Sequence, residues 1–175
     1  DSLSPRSILR GQMRDLADAE GRPWSVPFAG RERDSWPHGY VDCSEAICRG
    51  SSVAAAVIQG VLPGEAPFLS VMWTILGHPA AAVAVPYLPA GPPPEAAAPP
   101  ASPLWTEAAR LKSALLKPVY HATLIDTHQL LDGEGGGLWA RLLPFEAGIL
   151  AAAEESLAVW RETPPEPAAI LAFQQ

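Results

Sequence analysis

Between residues 47 and 86 the apolar positions fall into three short runs, 51–58, 68–76 and 80–85, separated by Gly60, Pro63-Gly64 and Gly77-His78-Pro79. Runs of this length, closed by Gly and Pro, predict an antiparallel β-meander spanning 41–88. Helical spacing replaces it on either side. Ser4-Pro5 reads as an N-cap with a first-turn proline, and Ile8, Leu9, Met13, Leu16 and Ala17 recur at helical intervals up to Gly21, which predicts a helix over 4–20. Residues 21–40 are polar and turn-rich, an irregular segment anchored by Trp24, Phe28 and Trp36. After the meander, 89–103 carries too many prolines for helix or inner strand and reads as an extended surface loop. Residues 104–175 are helical in pattern. Leu104, Trp105, Ala108, Leu111 and Leu115 form a stripe that Pro118 ends, and 123–131 adds a short helix. Trp139, Leu142, Leu150, Ala153, Leu157 and Trp160 mark the strongest amphipathic stripe, which Pro144 kinks or restarts, and a last short helix covers 167–173. Strands first and helices after give an α+β fold in a single segment over 1–175.

Composition narrows the function classes. The 20 Pro and 14 Gly among 175 residues stay below the roughly 25–30% of a low-complexity coil, so they belong to loops between packed pieces. A formal net charge of −7 and the absence of clustered Lys and Arg argue against a nucleic-acid groove, which needs cations to displace counterions. Every apolar segment is broken well before the about 20 residues that span a bilayer, so no membrane span is expected. The chain opens on Asp1-Ser2-Leu3 without a basic region or apolar core, so no signal peptide is read there.

Cys43 and Cys48, spaced C-x4-C, permit a disulfide if their Cβ atoms face each other; two thiols are the alternative. Together with His38 they remain one ligand short of a structural zinc site, so no metal is expected, and no cofactor-binding loop is present. His38 and His78 sit in turns, where a lone histidine is ordinarily solvated. Trp73 and Trp105 read either as pocket walls or as core residues.

Several segments in order carry a family resemblance. They are Gln12-Met13-Arg14-Asp15-Leu16-Ala17-Asp18-Ala19-Glu20-Gly21-Arg22-Pro23, Arg49-x-x-Ser52, Gln59-Gly60-Val61-x-Pro63-Gly64-Glu65, and the run from Leu69 through Trp73 to Gly77-His78-Pro79. Val83-Ala84-Val85-Pro86, Leu142-Leu143-Pro144-Phe145-Glu146 and Ala158-Val159-Trp160-Arg161 complete the set, which spans nearly the whole chain. This pattern resembles the C-terminal half of the autoproteolytic acyltransferases and carcinine hydrolases, secreted bacterial N-terminal-nucleophile cysteine amidohydrolases. The resemblance implies the later half of a four-layer αββα sandwich and a secreted or periplasmic location.

It also implies an amide-bond hydrolase or acyltransferase whose nucleophile is a cysteine at the start of the mature chain, where its own α-amine serves as general base. Residue 1 is Asp, and Cys43 and Cys48 are internal. The nucleophile is therefore expected on a companion N-terminal polypeptide outside this sequence, and a small amide is the expected substrate. Enzymes of the kind it resembles place an arginine near the thiolate, which makes Arg49 an auxiliary catalytic candidate beside its plainer reading as a surface residue at a strand end. Ser51 and Trp73 are candidates for the substrate pocket. The alternative is a non-catalytic secreted structural or assembly protein on the same half-fold. A half-sandwich standing alone exposes an apolar sheet face and strand edges.

Overall fold

A computed structural model of the chain describes residues 3–15, 39–44, 46–98, 102–119, 122–132, 134 and 136–175. The first helix starts where its cap requires. Ser4 Oγ accepts from the Ser7 amide at 3.1 Å, and Ser7 Oγ accepts from the Ser4 amide at 2.9 Å. Helix α1, Pro5–Ser7, passes into a wider π-type turn, Ile8–Gln12, and helical geometry is lost by Asp15. The expected continuation through 16–20, the irregular segment 21–38, its three aromatics and His38 lie outside the described residues.

Among the described residues six strands follow: β1 Tyr40–Asp42, β2 Ala54–Gln59, β3 Val71–Leu76, β4 Ala84–Tyr87, β5 Leu116–Val119 and β6 Ala122–Asp126. They make two three-stranded antiparallel sheets, ordered β2-β3-β4 and β1-β6-β5. The first is the meander read from the sequence, but β1, inside the expected span 41–88, belongs to the other sheet, and each run becomes strand later than expected: β2 at Ala54, and β3 at Val71 after Pro67–Leu69 winds into a 3-10 turn. Its third run does not start at residue 80, because Pro79–Ala81 winds into a 3-10 turn and the strand begins only at Ala84. His78 caps that turn by accepting the Ala80 amide at 3.3 Å, while Pro79 occupies the turn's first position, where its missing N–H costs nothing.

Helix α2, Pro103–Leu115, is capped by Ser102 Oγ, which accepts from the Trp105 amide at 3.1 Å. It ends at Leu115, and Pro118 lies inside β5, an edge strand where a missing donor is tolerated. The helix expected over 123–131 is instead β6 followed by the single turn α3, Thr127–Leu130. The Ala-Thr-Leu-Ile-Asp run finds strand partners on both sides, in β1 and β5, and tertiary pairing overrides a weak local pattern. Helix α4, Leu138–Glu162, runs through Pro144 as one element rather than restarting there. Helix α5, Pro167–Gln174, packs back through an edge-to-face contact of Phe173 with Trp160, ring centroids 5.3 Å apart.

Alternation along the strands decides what packs. In β3, Val71, Trp73 and Ile75 are buried on one face, joined by Ala84 of β4, and Leu150, Ala153 and Leu157 of α4 complete that core with Leu9 and Ile170. A smaller core gathers Cys43, Cys48, Ala80, Ala81, Leu115, Ile125 and Leu130. The connection 77–82 runs between the two, and every residue in it is buried.

A buried loop must place its backbone polar groups, and here side chains from distant segments do so. Arg14 uses all five guanidinium hydrogens: Nε donates to Pro79 O at 2.8 Å, Nη2 to Ala82 O at 2.9 Å and to Glu146, and Nη1 to Leu9 O at 3.1 Å and to Glu146 Oε1 at 2.9 Å. Glu146 Oε2 also accepts the Ala84 amide at 2.7 Å, and Trp139 Nε1 donates to Ala80 O at 3.0 Å. Both members of the ion pair are buried, so removing one strands the other without water. Glu146→Ala is expected to cost about 3–5 kcal/mol in urea denaturation. The apolar double substitution Arg14→Met with Glu146→Leu leaves no stranded charge but still removes the partners of Leu9 O, Pro79 O, Ala82 O and the Ala84 amide, so it remains destabilising yet costs less than the sum of the two single changes. A double variant whose cost equals that sum contradicts this account.

Candidate functional site

The turn that carries Arg49 and Ser51 sits at the end of the first sheet where β2 starts and β3 stops. The Gly77 amide donates to Val53 O at 3.0 Å, and Lys112 Nζ of α2 donates to Ser52 O at 3.0 Å, so the turn, the strand end and α2 meet in one corner. Gly77 permits this approach. It has φ of +117°, and an added Cβ would overlap the Ala108 methyl of α2. The Arg49 and Ser51 side chains are exposed in this corner. Beside it an apolar groove of about 170 Å³ opens between α2 and the first turns of α4, lined by Leu76, Ala82, Leu104, Leu111, Leu142 and Phe145.

The structure does not bring Trp73 to that corner. Trp73 lies on the helix-covered face of β3, 1% exposed, with its indole Nε1 donating to Gln59 Oε1 at 3.1 Å. It is a core residue, and the expectation that it lines a pocket is corrected, because alternation turns residues 71, 73 and 75 together toward α4.

Cys43 and Cys48 are both buried, and no disulfide joins them. Cys48 packs against a residue the sequence had placed in solvent. His78 is 0% exposed, with Cys48 Sγ 3.7 Å from Nδ1 and 3.9 Å from Nε2. Near-equal distances to both ring nitrogens put the sulfur beside the ring rather than in line with either lone pair, which is not a proton-transfer geometry. The bonds identify the tautomer: Nδ1 accepts the Ala80 amide, so Nε2 bears the hydrogen and donates to Arg49 O at 3.1 Å.

Electrostatics push the pair apart. Burial is the largest cause on both sides, raising the Cys48 thiol to about 12 and lowering the His78 imidazole to about 4, the latter helped by Lys112. Both groups are thus neutral at pH 7, and the thiolate a nucleophile requires is not formed. The Cys43 thiol is raised as well, chiefly by burial. The sequence carried only one hint of this buried contact, the apolar run of residues 79–85 directly after His78.

The remaining feature is the other face of the β2-β3-β4 sheet. Register places Ala54 beside Leu76, Ala56 beside Thr74 and Val85, and Ile58 beside Met72 and Tyr87, all on the side away from Trp73. Ala54, Ala56, Ile58 (78%) and Met72 (37%) are exposed there, and the other four are half-buried. The surface is largely apolar, and at its centre the half-buried Thr74 keeps its Oγ1 out of contact with solvent and without a hydrogen-bond partner among the described residues.

Among the described residues no group of three or more His, Cys, Asp or Glu is arranged to hold a metal ion, and no helix is long and apolar enough to cross a membrane. No family model, curated protein or solved structure matches the chain.

The buried neutral pair makes stability depend on pH at both ends. Between pH 6.5 and about 4 the unfolded chain binds a proton at His78 that the folded chain refuses, so stability falls as pH drops through that window, by about 3 kcal/mol in all. Above pH 9 the unfolded Cys48 thiol ionises while the folded one does not, and stability falls again. Denaturation midpoints measured from pH 4 to 10 are expected to form a plateau between about 6.5 and 9. His78→Gln lowers the plateau but flattens its acid side; an acid limb equally steep in that variant contradicts the assignment.

Proposed function

We propose that this chain is the later part of an N-terminal-nucleophile amide hydrolase or acyltransferase, acting with a companion polypeptide that carries the reactive cysteine. The open apolar face of the β2-β3-β4 sheet carries the reading. Helix α4 covers one side of that sheet, and the other presents Ala54, Ala56, Ile58, Met72 and Val85, the surface that a second sheet needs in a sandwich. Two further observations support it. The segments that bear the resemblance at either end of the chain meet through Arg14 and Glu146. The chain's own thiols are buried and held protonated, so a thiolate mechanism needs a cysteine from elsewhere.

In this reading the thiolate attacks an amide carbonyl to give an acyl-enzyme, the amine leaves with a proton, and water or a second amine releases the acyl group. Arg49 stands at the rim of the open face, where its forked donors orient the carbonyl or hold the thiol deprotonated. Ser51 shares that rim, and the groove beside Leu76 offers an apolar wall for an acyl group.

Intact-mass analysis and N-terminal sequencing of native material are expected to find a companion chain beginning with Cys; its absence overturns the proposal. Brief iodoacetamide treatment should label that cysteine and abolish hydrolysis of small acyl amides while Cys43 and Cys48 stay unmodified. Arg49→Ala is expected to lower kcat roughly 100-fold without changing the denaturation midpoint, because its side chain is exposed. Unchanged turnover removes Arg49 from the chemistry.

A further inference from the structure

The outer edge of β2 is a second kind of open surface, distinct from the sheet face. Strand β2 lies at the end of the order β2-β3-β4, so one row of its backbone groups has no strand partner among the described residues. Edges of this sort are ordinarily blunted by charge, proline or a bulge. None of these protects this one. From Gly50 to Gly64 no residue is charged, the strand Ala54–Gln59 contains no proline, and its pairing with β3 runs through all six residues without a bulge.

We infer that this edge pairs with the same edge of a second copy of the chain, β2 against β2 in antiparallel register about Ala56. The side-chain sizes favour that occupant. With Ala56 on the two-fold axis, Ile58 of each copy faces Ala54 of the other on the open side of the sheet, and Val57 faces Ala55 on the helix-covered side. Large meets small in the rows on either side of the axis, and two alanines meet on it, so the strands approach without a side-chain clash. Charge favours it too. Each chain carries a net −7, so two copies repel over most of their surface, and the uncharged stretch 50–64 is where they approach at least cost.

The product is a continuous six-stranded sheet, β4-β3-β2-β2-β3-β4, a common size for a twisted sheet. A two-fold axis normal to the sheet keeps both open faces on the same side, so the pairing enlarges the apolar surface rather than covering it. A copy at the edge therefore leaves the face accessible, and the inference stands whether or not a companion chain covers that face. Two short strands bury less than the about 1,200 Å² of a stable interface, which places the association in the micromolar range or weaker.

Sedimentation of the full chain, in whatever particle it purifies, tests this at concentrations up to several hundred micromolar. Two copies of the chain per particle are expected, falling to one on dilution. Ile58→Lys, at a position 78% exposed, should weaken association at least about tenfold by setting a charge in the apolar row, whereas Met72→Lys on the neighbouring strand should not. Register is read with a short bis-maleimide. Ala56→Cys should link to itself across the axis, and Ala54→Cys should link to Ile58→Cys in a mixture far better than to itself. One copy per particle at every concentration, a dimer that Met72→Lys removes and Ile58→Lys does not, or links in another register each overturn the inference. A dimer found without any companion polypeptide sinks the proposed function and leaves this pairing intact.

Discussion

The fold turns on one ion pair and on what it holds in place. Arg14 and Glu146, 132 positions apart, meet in the interior, and together they bond two carbonyls of the connection between β3 and β4 and the first amide of β4. A loop buried between two cores has no water to solvate its amides and carbonyls, so it is stable only if side chains stand in for water. Arginine suits the task because its five donors lie in one rigid fork, and two of them are left for the carboxylate after the carbonyls are served. The net worth of such a pair is small beside the cost of breaking it. Its effect is to specify where the first helix, the connection and α4 sit relative to one another.

From that arrangement the rest of the corner follows. With the connection pinned, His78 is drawn inside, where its ring caps the turn, donates to Arg49 O and packs against Cys48. The same burial that allows these contacts suppresses the charge on both the imidazole and the thiol. A Cys–His contact is thus present without the chemistry usually associated with one. What remains accessible lies on the outside: the Arg49 turn, the groove beside Leu76 and the open sheet face. These three adjoin at one end of the sheet, which is why a partner layer laid on that face would meet them together.

Much of the local structure was legible in the sequence. Ser4-Pro5 and Ser102-Pro103 start helices as capping chemistry demands, Gly60, Pro63-Gly64 and Gly77 separate the meander strands, and the stripe from Trp139 to Trp160 is a single helix. The errors share one cause. Residues 80–83 and 123–131 have compositions that suit more than one element, and their state was settled by partners far along the chain: Arg14 and Glu146 for the first, β1 and β5 for the second. Among the site residues, Arg49 and Ser51 fall side by side in an exposed turn, as sequence neighbours at a strand entrance must. Trp73 was not decided by composition, since a tryptophan in an apolar strand suits a core and a pocket equally, and only the position of α4 says which face is covered.

The sequence by itself determined the antiparallel α+β character and the helix starts, because caps, prolines and turn residues act within a few residues of themselves. Only the tertiary structure decided which sheet face is covered, that Cys48 and His78 are neutral and touching, and that Arg14 finds Glu146. Those depend on desolvation, and no short window of sequence records how much water a folded chain will exclude.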